Sequence, residues 1–585
     1  MHSSYIKYLQ SMNNANSSND NAIAESQFTN PFYEKIRVER KIGTHLIEKI
    51  NENPSFIILT GHAGDGKTSL LHQILRKVGA IEAGAQLNEE GITINKENNQ
   101  NLYYVKDMSE LVTDRQRKCI EKGKEIVNSG GSTIIVSNTG PLIESFRQYF
   151  ENTLFNLNDI EMEILKLMDE NSFKEGMVGD LKILVINLAL LDNTEIVPVL
   201  IDKLLNEELW ADSNRCSLGE LCPIYNNYKT LKLHQNQFRN FAMHFYRWLA
   251  DNDKRLTIRQ ILSHLSYSIT GNLECEKINV INRQTILFNY HVSNLFFGYV
   301  GLFANNDALK IKAINEISTM KLDEKKLPFD QEIFVKENFN VLVDEVQEIA
   351  LGTWKYYMRR QLLDTEQLLY ENKPFLIRKA MRRMQIMFSR YNEEHYEQLL
   401  GILYSPIYPK YLDYRKNGLR SRSKRQLKEI VFKALQVLVM GDSSDIASEK
   451  VLYLPLKRSG LNNQNVYLLI GKVDFDDIVV DAIEDKNTML DVSTYKISIK
   501  FNRISQGYEL QLPLLDYFYQ VSIGSLSTKL NPVHSHGINR LKAQLYKEYK
   551  FNDGDEVIKL LIQTLQGPKI IDLELDLDNK KLYFD

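Results

Sequence analysis

The sequence is poor in cysteine. Cys119, Cys216, Cys222 and Cys275 are the only four in 585 residues, too few for a disulfide framework in a chain of this size. It also lacks any apolar run near the roughly 18 residues that would span a bilayer, and no signal-peptide pattern opens it. The expectation is a cytoplasmic protein with no membrane partner. An excess of one charge is missing too. A net charge of −3 gives no overall basic field, so any contact with nucleic acid would need a local patch. No internal repeat and no P-D…(D/E)-x-K constellation is found, so nuclease activity is not expected of this chain. What remains is ordinary for a globular protein, 43% hydrophobic and 25% charged. The length exceeds what one core supports and suggests roughly three or four domains.

Against that plain background one segment stands out. Gly61-His62-Ala63-Gly64-Asp65-Gly66-Lys67-Thr68 fits the phosphate-binding pattern G-x-x-x-x-G-K-[ST], and its flanks agree. Phe56-Ile57-Ile58-Leu59-Thr60 reads as a short buried strand, and Ser69 to Leu75 has the apolar spacing of a helix packed on a sheet. Glycines let the backbone wrap a triphosphate, and successive N–H groups at the helix N-terminus point at the anion. Residues Gly61 through Ser69 would then bind the nucleotide. Lys67 would reach the β- and γ-phosphates, and Thr68 would hold Mg²⁺. The plainer reading is a glycine turn before an ordinary helix. The pattern points to ATP and Mg²⁺ as ligands.

Five regions are predicted. Residues 1–28, with the run Asn13 to Asn21, are too polar for a core and read as a disordered or flexible tail, or a short docking helix followed by disorder. Residues 29–205 read as the P-loop core. An amphipathic helix opens at Arg37-Val38-Glu39-Arg40-Lys41-Ile42, and a polar stretch at Asn88–Asn101 reads as an insertion or irregular strand. Strands follow at Leu102–Asp107, Thr133–Asn138 and Leu181–Leu188, with helices between. That alternation predicts a mainly parallel, three-layer α/β sheet. Residues 206–330 read as a helical lid-like domain and 331–440 as a helical middle region. Residues 441–585 read as a mixed α/β domain, with strands at Val466–Ile470, Tyr495–Phe501 and Ile571–Leu577 and a closing hairpin turn at Asp578–Lys580.

A P-loop site needs a second acid at the end of a neighbouring strand. Asp107 fits, as an Mg²⁺ ligand through water, and Glu110 adds a carboxylate that could polarise an attacking water. Asn138 closes the next strand, where a polar side chain reaches between the acid and the γ-phosphate. Arg259, in Leu256–Leu262, opens a helix and would neutralise charge on the transferred phosphoryl. The plain alternatives are a solvated strand end, an exposed first-turn residue, a turn-forming Asn and a surface arginine. Arg239, Arg247 and Arg255 are weaker candidates, including for an arginine finger. Cys216 and Cys222, with His234 and His244 downstream, have a poor spacing for zinc and read as core cysteines. His534 and His536 read as loop. Two basic stretches could touch nucleic acid: Arg415, Lys416, Arg420, Arg422, Lys424 and Arg425, interleaved with tyrosines, and the helix carrying Arg378, Lys379, Arg382 and Arg383. A solvated helix face or a salt-bridge surface is the alternative for both.

Asn30-Pro31-Phe32, Gly61–Thr68, Asp107-Met108-Ser109-Glu110 and Ser137-Asn138-Thr139-Gly140 together resemble AAA+/STAND-like ATPases of bacterial defence islands, in particular the DNA phosphorothioation-dependent restriction ATPase of the DptF type. Leu221–Tyr228 and Leu256–Leu262 are similar to that family as well. The likeness covers about residues 30 to 300. It implies an AAA+-like fold, with Asn138 as the first sensor residue and Arg259 as the second. It also implies an ATP-hydrolysing subunit of a restriction or anti-phage system that couples nucleotide state to DNA engagement or assembly. Partners would be companion defence subunits, DNA through a local basic patch, and further copies of the chain. AAA+ ATPases usually carry two adjacent acids where this chain has Asp-Met-Ser-Glu, which leaves the catalytic base open. The alternative is a STAND-type nucleotide switch that oligomerises in response to a protein ligand.

Overall fold

The computed structural model describes residues 4–12, 30–82, 84–170, 172–211, 218–274, 283–360, 373–441, 450–456, 465–487, 492–525, 530–551, 557–564, 567–576 and 581–584. The Asn-rich run from Asn13, Cys216, Cys275 and the turn at 578–580 lie outside them. The chain divides into two units, residues 1–399 with 488–491 and residues 400–487 with 492–585. Each is taken by itself.

In the first unit, helices α1 (Ser4–Ser11), α2 (Pro31–Ile36) and α3 (Lys41–Glu52) precede strand β1 (Phe56–Thr60). There follow α4 (Lys67–Lys77), β2 (Glu90–Asn95), β3 (Gln100–Val105), α5 (Thr113–Asn128), β4 (Ser132–Val136), α6 (Thr139–Phe150), α7 (Leu157–Glu170), β5 (Gly176–Val178), β6 (Leu181–Asn187) and α8 (Val197–Leu204). The strands form one six-stranded sheet in the order β2-β3-β4-β1-β6-β5. β3, β4, β1 and β6 run parallel, and β2 and β5 pair antiparallel at the two edges.

Every residue of β1 is buried, because helices cover both faces of the parallel sheet. Ile57, Leu59, Ile134 and Leu184 pack under Leu70, Leu71 and Ile74 of α4 and Leu46 of α3. The alternate set, Ile58, Ile135, Val185 and Tyr103, packs under Ile120, Phe146 and Ile164 from α5, α6 and α7. This is the strand's two-residue alternation, and it builds three layers. Each such side chain contributes about 1.5–3 kcal/mol on burial.

Several expectations are corrected. For Ser4–Ser11 the short docking helix holds rather than the flexible tail, with Tyr5, Ile6, Tyr8 and Leu9 buried. Arg37–Arg40 is extended, and the helix expected there starts at Lys41. The polar stretch before Leu102 contains a regular strand, β2, hairpinned onto β3, with Ile92 and Ile94 facing out.

Beyond the sheet the unit is largely helical: α9 (Pro223–Leu233), α10 (Gln235–Asp251), α11 (Ile258–Thr270), α12 (Asp344–Arg360) and α13 (Lys373–Phe388), with shorter elements between, among them the small antiparallel pair β7 (Tyr299–Val300) and β8 (Phe303–Ala304). α11 starts at Thr257 because Thr257 and Gln260 form a reciprocal capping box. α14 (Glu393–Leu403) contains the division at 399.

In the second unit, α15 (Tyr408–Asn417) and α16 (Ser421–Met440) precede strands β9 (Val451–Leu456) and β10 (Val466–Asp474). Then come β11 (Ile478–Asn487), β12 (Val492–Phe501), β13 (Ile504–Glu509), α17 (Leu512–Ser522), α18 (Pro532–Glu548), β14 (Val557–Thr564), β15 (Gly567–Asp576) and β16 (Lys581–Phe584). They build a five-stranded sheet, β16-β15-β14-β10-β9, and a three-stranded sheet, β11-β12-β13. The boundary expected at 440 is displaced to 399 because α16 packs on α17, β9 and β11, and α15 on β12. Pro532-Val533-His534-Ser535-His536 is the first turn of α18 rather than a loop, with Pro532 at its start and Asn531 capping the Val533 N–H.

Candidate nucleotide-binding site

The Gly61–Thr68 loop joins β1 to α4 at the carboxyl edge of the parallel strands. β1 lies between β4 and β6, where the strand order reverses and a crevice opens. Gly64 and Gly66 hold φ of +88° and +85°, values that a side chain at either position would disfavour. Gly66 caps α4, so the helix N-terminus faces the crevice. A cavity of about 370 Å³ occupies it, within the usual range for ligand pockets. Ala63, Gly64, Gly66, Lys67, Thr68 and Ser69 line it, together with Asp107, Glu110, Asn138 and Arg259.

Each of the predicted polar residues arrives there for a local reason. Asp107 follows β3 and caps the single turn Met108–Glu110 by accepting from the Ser109 N–H at 2.9 Å. Ser109 Oγ in turn accepts from the Asn138 N–H at 2.8 Å, which stitches the ends of β3 and β4 together. Asn138 makes no side-chain cap for α6; its Oδ1 accepts from Lys67 Nζ at 2.7 Å. Lys67 also donates to the carbonyls of His62 (2.9 Å) and Gly61 (3.2 Å). Burial pushes its pKa down, while Asp107 and Asp65 hold the charge in place. Arg259 enters from the first turn of α11, its N–H donating to the Gly64 carbonyl at 3.3 Å. Burial lowers its pKa as well.

Not all loop residues face the ligand space. Gly61, His62 and Asp65 are not part of the lining. Asp65 is fully buried and turned inward: Oδ2 accepts from the His62 N–H at 3.0 Å and Oδ1 from Arg255 at 2.9 Å. Arg40, also buried, donates to the Asp65 carbonyl at 3.2 Å. Burial pushes the Arg40 pKa down to about 10, and the charge of Arg255 adds to this. Arg255 is thereby a loop brace rather than an arginine finger. Arg239 pairs with Asp202, and Arg247 with Asp192 and Glu195.

The sequence reading missed the opposite wall. Tyr8, Met12, Tyr33, Ile36, Arg37, Ile196, Leu200 and Leu262 are among its other lining residues. Tyr33 OH bonds Ser69 Oγ at 3.2 Å, which places α2 against the start of α4. The available signal was Asn30-Pro31: Asn30 caps α2 and Pro31 opens it.

The donor set fits a nucleotide with Mg²⁺. A cationic lysine and arginine, a helix N-terminus and a hydroxyl at Thr68 suit phosphates. The carboxylates of Asp107 and Glu110 suit a cation that keeps most of its waters. Among the described residues no group of three or more His, Cys, Asp or Glu could hold a metal ion. Cys222 is buried in the core, and His234 pairs with Glu345.

The two basic stretches differ. Three of the four cations on α13 are turned inward. Arg383 is fully buried on Asp323 (2.7 Å), the Asn294 side chain and the Gly301 carbonyl. Arg382 pairs with Asp330, and Lys379 with Glu324. Those three cations serve ion pairs within the unit, which is the salt-bridge alternative for this helix. Around the α15–α16 junction, Lys416, Arg420, Arg422 and Arg425 are exposed. Lys424 pairs with Asp481 at 2.7 Å, Arg425 with Glu429 at 3.1 Å, and Arg415 lies 5.9 Å from the Tyr411 ring. Among the described residues no helix is long and apolar enough to cross a membrane.

No protein-family model, no curated protein and no solved structure matches the chain.

Proposed function

We propose that the protein binds and hydrolyses ATP at this cavity, with an AAA+-like arrangement of loop, strand-end polar residues and lid arginine. The observation that carries the reading is the convergence of Lys67, Asp107, Glu110, Asn138 and Arg259, from four separate chain segments, on a cavity that the phosphate loop lines. Lys67 exchanges its loop carbonyls for the β- and γ-phosphates while Asn138 keeps its position fixed. Arg259 meets charge developing on the γ-phosphoryl from the opposite side. Glu110 accepts a hydrogen bond from the attacking water and orients it. Asp107, held by Ser109, would hold Mg²⁺ through water and the Thr68 hydroxyl would bind it directly; when bound, the ion would neutralise phosphate charge.

In this reading the chain is the ATPase subunit of a bacterial restriction or anti-phage system. Companion subunits are its partners, and DNA meets the exposed cations at Lys416, Arg420 and Arg422. The test is steady-state ATP hydrolysis by wild type, Lys67→Ala and Glu110→Gln, with and without DNA at two salt concentrations. Salt-sensitive stimulation by DNA, lost in both variants, is the expected result. Wild-type rates in Lys67→Ala sink the proposal.

A second reading, a nucleotide-operated assembly switch, is favoured by the direct bond between the start of α11 and the phosphate loop. It predicts slow turnover indifferent to DNA and a change of mass on adding ATP.

A further inference from the structure

One wall of the cavity comes from the far N-terminal end of the described chain. α1 is only eight residues long, and a helix of that length is marginal alone in water. Docking stabilises it. Tyr5 OH donates to the Leu204 carbonyl at 2.9 Å, at the end of α8, and its ring stands edge-on to Trp210 with centroids 5.5 Å apart. On the other side, Gln10 Nε2 donates to the Leu273 carbonyl at 2.7 Å, just past α11, and Ser266 Oγ of α11 lies 3.9 Å from Met12 Sδ. α1 therefore touches both the α8 side of the sheet domain and the helix that delivers Arg259. Tyr8, between Tyr5 and Gln10, and Met12, just past the end of α1, both line the cavity.

The cavity has two chemistries. Lys67, Thr68, Asp107, Glu110 and Arg259, with Arg37 and Arg40, are among its charged and hydroxylic lining, and Tyr8, Met12, Ile36, Ile196, Leu200 and Leu262 are among its apolar lining. A nucleotide has the same division, an anionic tail and a flat apolar base. With the phosphates on the loop, the base falls to the apolar part, where a phenol ring and a thioether are suited to cover a heterocycle.

We infer that α1 is part of the nucleotide site, with Tyr8 and Met12 covering the base, so that docking of α1 and occupancy of the site reinforce each other. The inference rests on the nucleotide reading above. A base in contact with Tyr8 and Met12 adds to what holds α1 down, and reciprocity requires that a docked α1 raise nucleotide affinity by the same factor.

The test uses the full chain, with Tyr8→Ala and a deletion of residues 2–12. Affinities for ATP and for inorganic tripolyphosphate are measured by competition against a fluorescent ATP analogue. Amide exchange of residues 5–9 in wild type is followed with and without ATP. We expect ATP to bind about tenfold more weakly to both variants while tripolyphosphate holds within about twofold, because only the base contact is lost. In wild type, ATP slows exchange in α1. Equal ATP affinity in wild type and variants, with α1 exchange indifferent to ATP, overturns the inference and leaves the nucleotide reading standing. A parallel loss of ATP and tripolyphosphate overturns it too, since α1 would then only support the fold. A wild-type protein that binds neither ligand overturns the nucleotide reading and this inference with it.

Discussion

Arg255 Nη1 lies 2.9 Å from Oδ1 of Asp65, a carboxylate with no exposed surface in the middle of the phosphate loop. The same guanidinium donates to the carbonyls of Leu191 and Leu188, both at 2.9 Å, so one side chain ties the loop to the segment after β6. Removing the cation leaves a buried charge without its partner, a heavier penalty than losing the pair together. Arg255→Ala should therefore lower unfolding free energy by about 3 kcal/mol and weaken ATP binding with it. Denaturant unfolding and ATP titration of the same preparation check both.

Lys67→Ala should separate binding from folding. The ammonium is held by three oxygens in a site that disfavours its charge, so its removal costs the fold little. ATP affinity should fall on the order of 100-fold, with the unfolding midpoint nearly unchanged. A variant that binds ATP as wild type does would contradict the assignment of the loop.

The two acids should part company in kinetics. Glu110→Gln is expected to keep ATP binding and lower kcat on the order of 100-fold, as loss of a positioned base does. Asp107→Asn should instead raise the Mg²⁺ concentration needed for half-maximal rate. Rates over a Mg²⁺ series for the two variants distinguish these roles.

Acid should loosen the helix that carries Arg259. His264 of α11 is fully buried, with Nε2 2.9 Å from the Phe296 carbonyl and Nδ1 2.8 Å from Tyr246 OH. A carbonyl only accepts, so Nε2 carries the proton and Nδ1 accepts from the phenol. Burial pushes the pKa of this ring down to about 4, against about 6.5 unfolded. Between those values the unfolded chain binds the extra proton. The stability is therefore complete above pH of about 6.5 and is lost as pH falls toward 4, at up to about 1.4 kcal/mol per pH unit. His244 and His291, lowered by burial to about 4 and about 3, act in the same direction. Urea midpoints from pH 7.5 to 4.5 should fall, and His264→Gln should make the slope shallower.

The basic stretches make a paired prediction. Arg420→Glu with Arg422→Glu, both exposed, should remove salt-sensitive DNA stimulation and leave basal turnover intact. Asp323→Ala strips the partner from fully buried Arg383 and should destabilise the first unit by about 3–5 kcal/mol. Thermal unfolding and DNA titration read the two effects.

What could be read in the residues was mostly local. The phosphate loop, β1, β3, β4, β6 and their order of appearance follow from glycine spacing and continuous apolar runs. Asn138 and Asp107 were legible because strand ends are where a parallel sheet presents polar side chains. β2 was hidden because its Ile92 and Ile94 face solvent at an edge, so no buried face sets a pattern. Arg383 looked like a surface cation, because its acid and amide partners stand 60 and 89 positions away. A short helix was legible before the Asn-rich run, but that Tyr8 and Met12 line the cavity was not, because the elements they meet lie about 200 positions or more further along the chain. Long-range pairing of this kind leaves no trace in periodicity.

Gly64 gives one more consequence. A methyl built on it would lie 3.1 Å from Thr257 Oγ1 and 3.2 Å from Arg259 Cβ, on backbone already at φ +88°. Two surfaces thus meet across a gap that only a hydrogen atom fills. Alanine at this position would strain the loop backbone itself and press on the first turn of α11, where Thr257 and Arg259 would have to give by a few tenths of an ångström. One missing methyl thus sets both the shape of the phosphate loop and the seating of the helix that carries Arg259, so neither can be altered here without the other.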